Sequence, residues 1–215
     1  MSMLATIVRR DLTITFRQGS AVLPTVFFLL VATLYPFAVG PDAALLGKTG
    51  GGMLWVAALI AALLPIERLV LPDAEAGMLD QYAVRGIADE AVALAKLIAH
   101  WLSFGPPLML AVLPASALLR LDGAMIGRIE LGLAIGTPGL AALALVTASL
   151  TVALRGAGAL AGLLMLPLAI PLLIFGAGSL APESTGALKL LAATSLLLIA
   201  GAPFAAGAAL RAMRE

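Results

Sequence analysis

The residues of this chain that could do chemistry are few and unevenly placed. The stretch PDAEAGMLDQYAVRGIADE at 72–90 holds five of the twelve acidic residues, Asp73, Glu75, Asp80, Asp89 and Glu90, against a single base, Arg85. Gly47-Lys48-Thr49 has the ending of a phosphate-binding P-loop, but that motif needs a glycine at position 42, where Asp42 stands, and it follows no strand pattern. It therefore reads as a loop. His100 is the only histidine and there is no cysteine, so neither a zinc cluster nor a disulfide can form from these residue types. A solvated or interfacial histidine is favoured over a ligand. No catalytic residue, metal site or directly bound cofactor can be assigned, and the chain reads as non-enzymatic.

The elements that must carry these residues follow from composition. With 62% hydrophobic residues, 12% charged residues and a mean hydropathy of +1.10, the sequence is far from the soluble average. Its charges delimit six uncharged stretches, 18–41, 49–66, 97–119, 131–154, 156–182 and 190–210. Each can cross a hydrocarbon core roughly 30 Å thick, which takes about 20 helical residues. The runs are apolar on every face, which excludes the alternating strands of a membrane β-barrel. The expected architecture is all-α: one polytopic membrane domain over 1–215, with spans at about 20–39, 50–66, 97–119, 131–154, 157–180 and 190–210.

If the N-terminus is cytoplasmic, nine Lys and Arg residues (Arg9, Arg10, Arg17, Arg68, Arg85, Lys96, Arg155, Arg211 and Arg214) lie inside. Four lie outside: Lys48, Arg120, Arg128 and Lys189. This asymmetry favours both termini inside. Tyr35 and Trp55 fall near the outer boundary and Trp101 near the inner one, as belt aromatics do. The N-terminal apolar run is too long for a signal core and is followed by five more spans, so cleavage is not expected. In residues 1–19, Met3, Leu4, Ile7, Val8, Leu12 and Phe16 recur at helical spacing opposite Arg9, Arg10 and Arg17. Two readings stand: an interfacial amphipathic helix with its arginines among anionic headgroups, or a basic flank that only sets topology.

Within the spans there is no Asp, Glu, Lys or Arg, hence no carboxylate for ion coupling. Energy for any active process has to come from elsewhere. Gly132/Gly136 and Gly158/Gly162 have the spacing that lets helices approach closely. Pro106, Pro107, Pro138, Pro167 and Pro171 should kink or loosen their helices.

The acidic segment 72–90 then becomes the point of interest. Pro72 can open a helix, Asp73 and Glu75 suit its N-terminal end, and Met78, Leu79 and Tyr82 form an apolar stripe beside Asp80 and Gln81. Gly86 interrupts it. A short surface helix that docks on a soluble partner and a plain solvated loop fit these residues equally.

Glu75-Ala76-Gly77-Met78-Leu79-Asp80-Gln81 resembles the E-x-G-x-L-[DE]-Q pattern of ABC-2 type permeases, in the segment between their second and third spans. The whole chain is similar to the CcmB family, the permease-like subunit of the cytochrome c maturation ABC complex, through FRQGSAVLPTVFFLLVATLYPFAVGPD at 16–42, GGMLWVAALIAALL at 51–64, LAKLIAHWL at 94–102, GTPGLAAL at 136–143, LPLAIPLLIFGAG at 166–178 and APFAAGAALR at 202–211. The family usually has a proline-containing turn near VRGIAD, where this chain has Gly86. The resemblance implies a transmembrane subunit of the bacterial inner membrane, working with a cytosolic ATPase, CcmA, with the membrane proteins CcmC and CcmD, and with a second copy of itself. ATP would be bound on CcmA and haem on partner proteins, and ATP hydrolysis would release the haem-loaded chaperone CcmE from CcmC. It also implies that Asp73, Glu75, Gly77, Leu79, Asp80 and Gln81 form an ATPase-coupling segment, with Glu75, Leu79, Asp80 and Gln81 as its surface and Gly77 permitting close approach. No role in nucleic-acid binding is implied. The alternatives are an ABC-2 exporter subunit that conducts haem, lipid or another small solute, and a static scaffold.

Overall fold

In hydrocarbon an unpaired backbone amide or carbonyl is costly, so each apolar run closes its own hydrogen bonds as a helix. The computed structural model describes residues 3–154 and 157–214, and its regular structure there is entirely helical. In chain order the helices are α1 (Met3–Arg17), α2 (Val22–Val39), α3 (Ala43–Leu63), α4 (Leu71–Glu75), α5 (Met78–Val84), α6 (Asp89–Leu118), α7 (Gly123–Thr151), α8 (Ala157–Gly178) and α9 (Thr185–Ala212), with a 3₁₀ turn at Ile66–Arg68 before α4. Six of them, α2, α3, α6, α7, α8 and α9, are long and apolar enough to cross a membrane. The protein is an all-α polytopic membrane protein.

Local chemistry sets several helix ends. Asp42 caps α3 by accepting from the amides of Ala44 and Leu45, and Asp122 caps α7 by accepting from Met125. Because α3 begins at Ala43, Lys48 and Thr49 are helical, where the sequence suggested a loop. Thr49 Oγ1 donates to Leu45 O and accepts from Tyr35 OH at 2.9 Å, which ties α2 to α3. At 30 residues α6 spans about 45 Å, more than a bilayer core, so its first turns project beyond the expected span at 97.

α7 is the central helix, buried along most of its length and packed against α6, α8 and α9. Three sequence expectations are corrected here. Trp55 is 1% exposed, and its ring lies against Gly132, Gly136 and Gly176 rather than in an interfacial belt. A Cβ on Gly136 or Gly176 would come within 2.5 and 2.6 Å of that ring. The Gly132/Gly136 pair thus makes room for an indole, not for a neighbouring backbone. Trp101 is likewise turned inward, donating from Nε1 to Thr137 Oγ1 of α7 at 3.1 Å. Arg155 lies outside the described residues, as do the surroundings of Gly158; at Gly162 an added Cβ would meet nothing within 4 Å.

α2 contributes little to the core. Phe28 and Ala32 are buried, while Val22, Leu23, Val26, Leu30, Leu34 and Phe37 are exposed apolar residues, as a lipid-facing helix requires. With an even number of spanning helices, α1, α4, α5, the start of α6 and the end of α9 gather at one end of the bundle.

Candidate functional site

The segment between α3 and α6 is a helical elbow. Leu71–Glu75 forms one turn of helix with Pro72 in its first turn, and Gly77 (φ +66°) breaks the chain before α5. Only glycine takes this left-handed conformation at little cost. No atom lies within 4 Å of where a Cβ on Gly77 would sit, so this glycine serves backbone direction and not the expected close approach. α5 ends on Gly86 (φ +71°), with Gly86 N donating to Ala83 O and Ile87 N to Tyr82 O. This is a Schellman stop. Proline, with φ fixed near −65°, could not occupy position 86 in this conformation.

The elbow has two faces. Outward stand Glu75, Asp80, Gln81 and Arg85, with Val84 at 89% exposure. Inward stand Asp73, Leu79 and Tyr82. Leu79, expected on the outer surface, is 2% exposed and packs into the core; it anchors α5 instead of facing a partner. Asp73 is also buried and offers its carboxylate inward.

That carboxylate is the centre of a charge clamp. Arg10 of α1 approaches it with both terminal nitrogens, Nη2 to Oδ1 at 2.6 Å and Nη1 to Oδ2 at 3.0 Å. Lys96 of α6 donates to Oδ2 of Asp73 and, at 3.2 Å, to Asp11. Asp11 also accepts from Arg10 at 2.9 Å, and Tyr82 OH lies 3.3 Å from Arg10 Nη1. The hydrogen bond to Asp73 raises Arg10 further above its already high ordinary value, against a burial that lowers it, so the guanidinium is always charged. Two acids facing two bases make the burial sustainable, since a lone buried charge would not be. Of the arginines expected among headgroups, Arg9 and Arg17 remain exposed on α1, whereas Arg10 turns into the protein.

A second clamp closes the elbow from the far end of the chain. Arg214 donates to Asp89 at 2.6 Å, and Arg211 donates to Glu90 at 2.6 Å. Gly207 lets α9 pass the start of α6, because a Cβ there would be 3.0 Å from the amide nitrogen of Glu90. Sequence reasoning missed Lys96, Arg211, Arg214 and the exposed Val84. The acid–base balance gave a signal for the bases, since five carboxylates beside one arginine need cations from elsewhere.

His100 is not solvated as expected. It is 3% exposed, stacked on Phe104 with ring centroids 4.8 Å apart, and neither ring nitrogen has a hydrogen-bond partner among the described residues. No group of three or more His, Asp or Glu residues is placed to hold a metal ion among the described residues.

The elbow thus presents an exposed polar face on an ion-paired, buried base. Comparison with known proteins identifies the family. The model of the CcmB protein family matches residues 2–213. The chain is 42% identical to heme exporter protein B of Bradyrhizobium diazoefficiens, covering 98% of both chains. It is 42% identical to heme exporter protein B of Paracoccus denitrificans, covering 94% of this chain and 95% of that one. To heme exporter protein B of Escherichia coli K12 it is 39% identical, covering 95% and 96%. A full-length family match and full-length relatives, on a six-span helical fold, establish that the chain belongs to the CcmB family.

Proposed function

We propose that this protein is the transmembrane subunit of an ABC complex for cytochrome c maturation, and that the α4–α5 elbow is where a separate ATPase subunit, CcmA, docks. The observation that carries the reading is the elbow's division of labour. Glu75, Asp80, Gln81 and Val84 are exposed, while on the opposite face Asp73 is tied to α1 and α6, Tyr82 to α1, and Leu79 is buried in the core. A rigid-body push on α5 therefore reaches the bundle through charged contacts that resist separation. Arg214 Nη1 approaches Leu79 O at 3.5 Å, which adds α9 to the elements that would feel the push. The contacts favour α1, α6 and α9 as the elements that receive it.

In this reading the elbow end is cytoplasmic, in agreement with the basic residues there, and the protein lies in the bacterial inner membrane with both termini inside. Two copies would pair with two ATPase subunits. ATP stays on CcmA and haem on the partner proteins CcmC and CcmE, with CcmD in the same assembly; this subunit itself catalyses no reaction. ATP-driven movement of α5 would release haem-loaded CcmE from CcmC. The relatives' name, heme exporter protein B, favours a second reading, in which haem itself crosses the bilayer through this subunit.

The test uses the purified complex in liposomes. Release of CcmE from CcmC that requires ATP and is lost in Glu75→Lys/Asp80→Lys supports coupling. ATP-dependent accumulation of haem across the bilayer without CcmE supports the second reading. Wild-type release that continues with an ATPase that cannot hydrolyse ATP would remove the basis of the first.

A further inference from the structure

A cavity of about 360 Å³ lies beside the Asp73 clamp, between α1, the 3₁₀ turn with α4, and α6. Its position on α6 follows the face Lys96, Ala99, His100, Ser103, which at 1.5 Å per residue makes it about 10 Å deep along the helix axis. Three bases, Arg10, Arg68 and Lys96, face two carboxylates, Asp11 and Asp73, on its wall, leaving one positive charge in excess. Arg10 and Lys96 are committed to those carboxylates, but Arg68 is exposed and makes no ion pair among the described residues. Deeper in, His100 forms part of the wall, its two unpartnered ring nitrogens themselves buried, while Ile14 and Leu69 supply apolar surface.

A buried imidazole with no partner is a standing cost of about 1–3 kcal/mol, which a ligand's polar atoms would relieve once the ring turns toward the cavity. A ligand that fits has to offer an anion to Arg68, acceptors one helical turn further in, and apolar substance for the remaining wall. The place also narrows the choice. α1 is amphipathic and carries exposed Met3, Ile14 and Phe16, and Arg9 and Arg17 border a shallow apolar groove on the same helix. These are the features of a helix lying in a bilayer surface, where anionic headgroups are concentrated.

We infer that this cavity binds one anionic phospholipid, its phosphate at Arg68 and its glycerol ester oxygens meeting a His100 ring turned toward the cavity. The inference does not depend on the docking role of the elbow. The lipid's effect would be to fix α1 against the roots of α4 and α6.

The intact chain, reconstituted into nanodiscs of equal parts phosphatidylglycerol and phosphatidylcholine, provides the test. Native mass spectrometry should retain one phosphatidylglycerol per chain, and Arg68→Gln should reduce that retention by about tenfold, the loss of one charge-assisted hydrogen bond. Because the chain has one histidine, ¹⁵N-histidine labelling reports on His100 alone. Its signal should shift between phosphatidylcholine discs and discs containing phosphatidylglycerol, and the shift should vanish in Arg68→Gln, whose side chain is exposed and makes no ion pair among the described residues. Equal retention of phosphatidylcholine would overturn the inference. So would inorganic phosphate in phosphatidylcholine discs reproducing the His100 shift, which would make this a free-anion site. Retention without a His100 shift places the lipid elsewhere, and no retention leaves a water-filled cavity; either result overturns it.

Discussion

Replacing Asp73 with alanine removes the acceptor shared by Arg10 and Lys96 and leaves two cations facing Asp11 alone. The Lys96 side chain is 4% exposed, so water cannot take over the lost role. Breaking a buried pair from one side costs roughly 3–5 kcal/mol. Asp11 still neutralises one charge, and Arg10 is partly solvated, which places the expected loss near the lower end, about 3 kcal/mol. For a chain of this length that is a fall in Tm of roughly 6–12 °C. The assay is thermal unfolding of the purified chain in detergent, with Lys96→Met as the second arm of a double-mutant cycle. Asp73→Ala/Lys96→Met should recover most of the loss, because it removes the stranded charge together with its partner. A loss below about 1 kcal/mol in Asp73→Ala, with no coupling to Lys96, would refute the claim that this clamp holds the elbow to the bundle.

Other consequences are equally direct. Glu75→Lys/Asp80→Lys should abolish co-purification with the ATPase subunit while changing stability by no more than about 0.5 kcal/mol, since both side chains are exposed; a large Tm shift in unfolding of the isolated chain would show a structural role instead. Gly176→Ala should cost about 1–3 kcal/mol because its Cβ would sit 2.6 Å from the Trp55 ring, and Trp55→Leu in the same chain should recover part of it. Gly52→Ala, where nothing lies within 4 Å, should instead stabilise α3 by up to about 1 kcal/mol in the same melt. At Gly86 (φ +71°), alanine should cost about 1–2 kcal/mol and proline more, with asparagine the least harmful replacement by thermal melting.

Much of this molecule is legible in its sequence, and what is not has a physical reason. Charge-free runs of span length dictate helices whatever their neighbours, so the six spanning helices can be read from residue order alone. The stop at Gly86 is local too, because it needs only a glycine after an apolar stripe. Asp73 is different. Its partner Arg10 lies 63 residues away and Lys96 lies 23 away, so a carboxylate that looks like a solvated helix-start residue is buried by tertiary contacts. Trp55 fails for a similar reason. Its position near a span end suggested a belt, but the cradle that receives it comes from Gly132, Gly136 and Gly176 on two other helices. Periodicity puts Leu79 and Val84, five residues apart on α5, about 140° apart and so on different faces, but it does not say which face turns inward. Only the turn angles at Gly77 and the arrival of α9 decide which face is inward.

The central claim is that the outer face of the elbow meets the ATPase subunit. The chain has no cysteine, so single cysteines can be introduced without background. Val84→Cys, at 89% exposure, should cross-link to a cysteine-scanned ATPase surface in the intact complex, with a yield that changes between nucleotide-free and ATP-bound states. Lys48→Cys, exposed at the opposite end of the bundle, should give no such product. A complex in which Lys48→Cys cross-links to the ATPase and Val84→Cys does not would contradict the account.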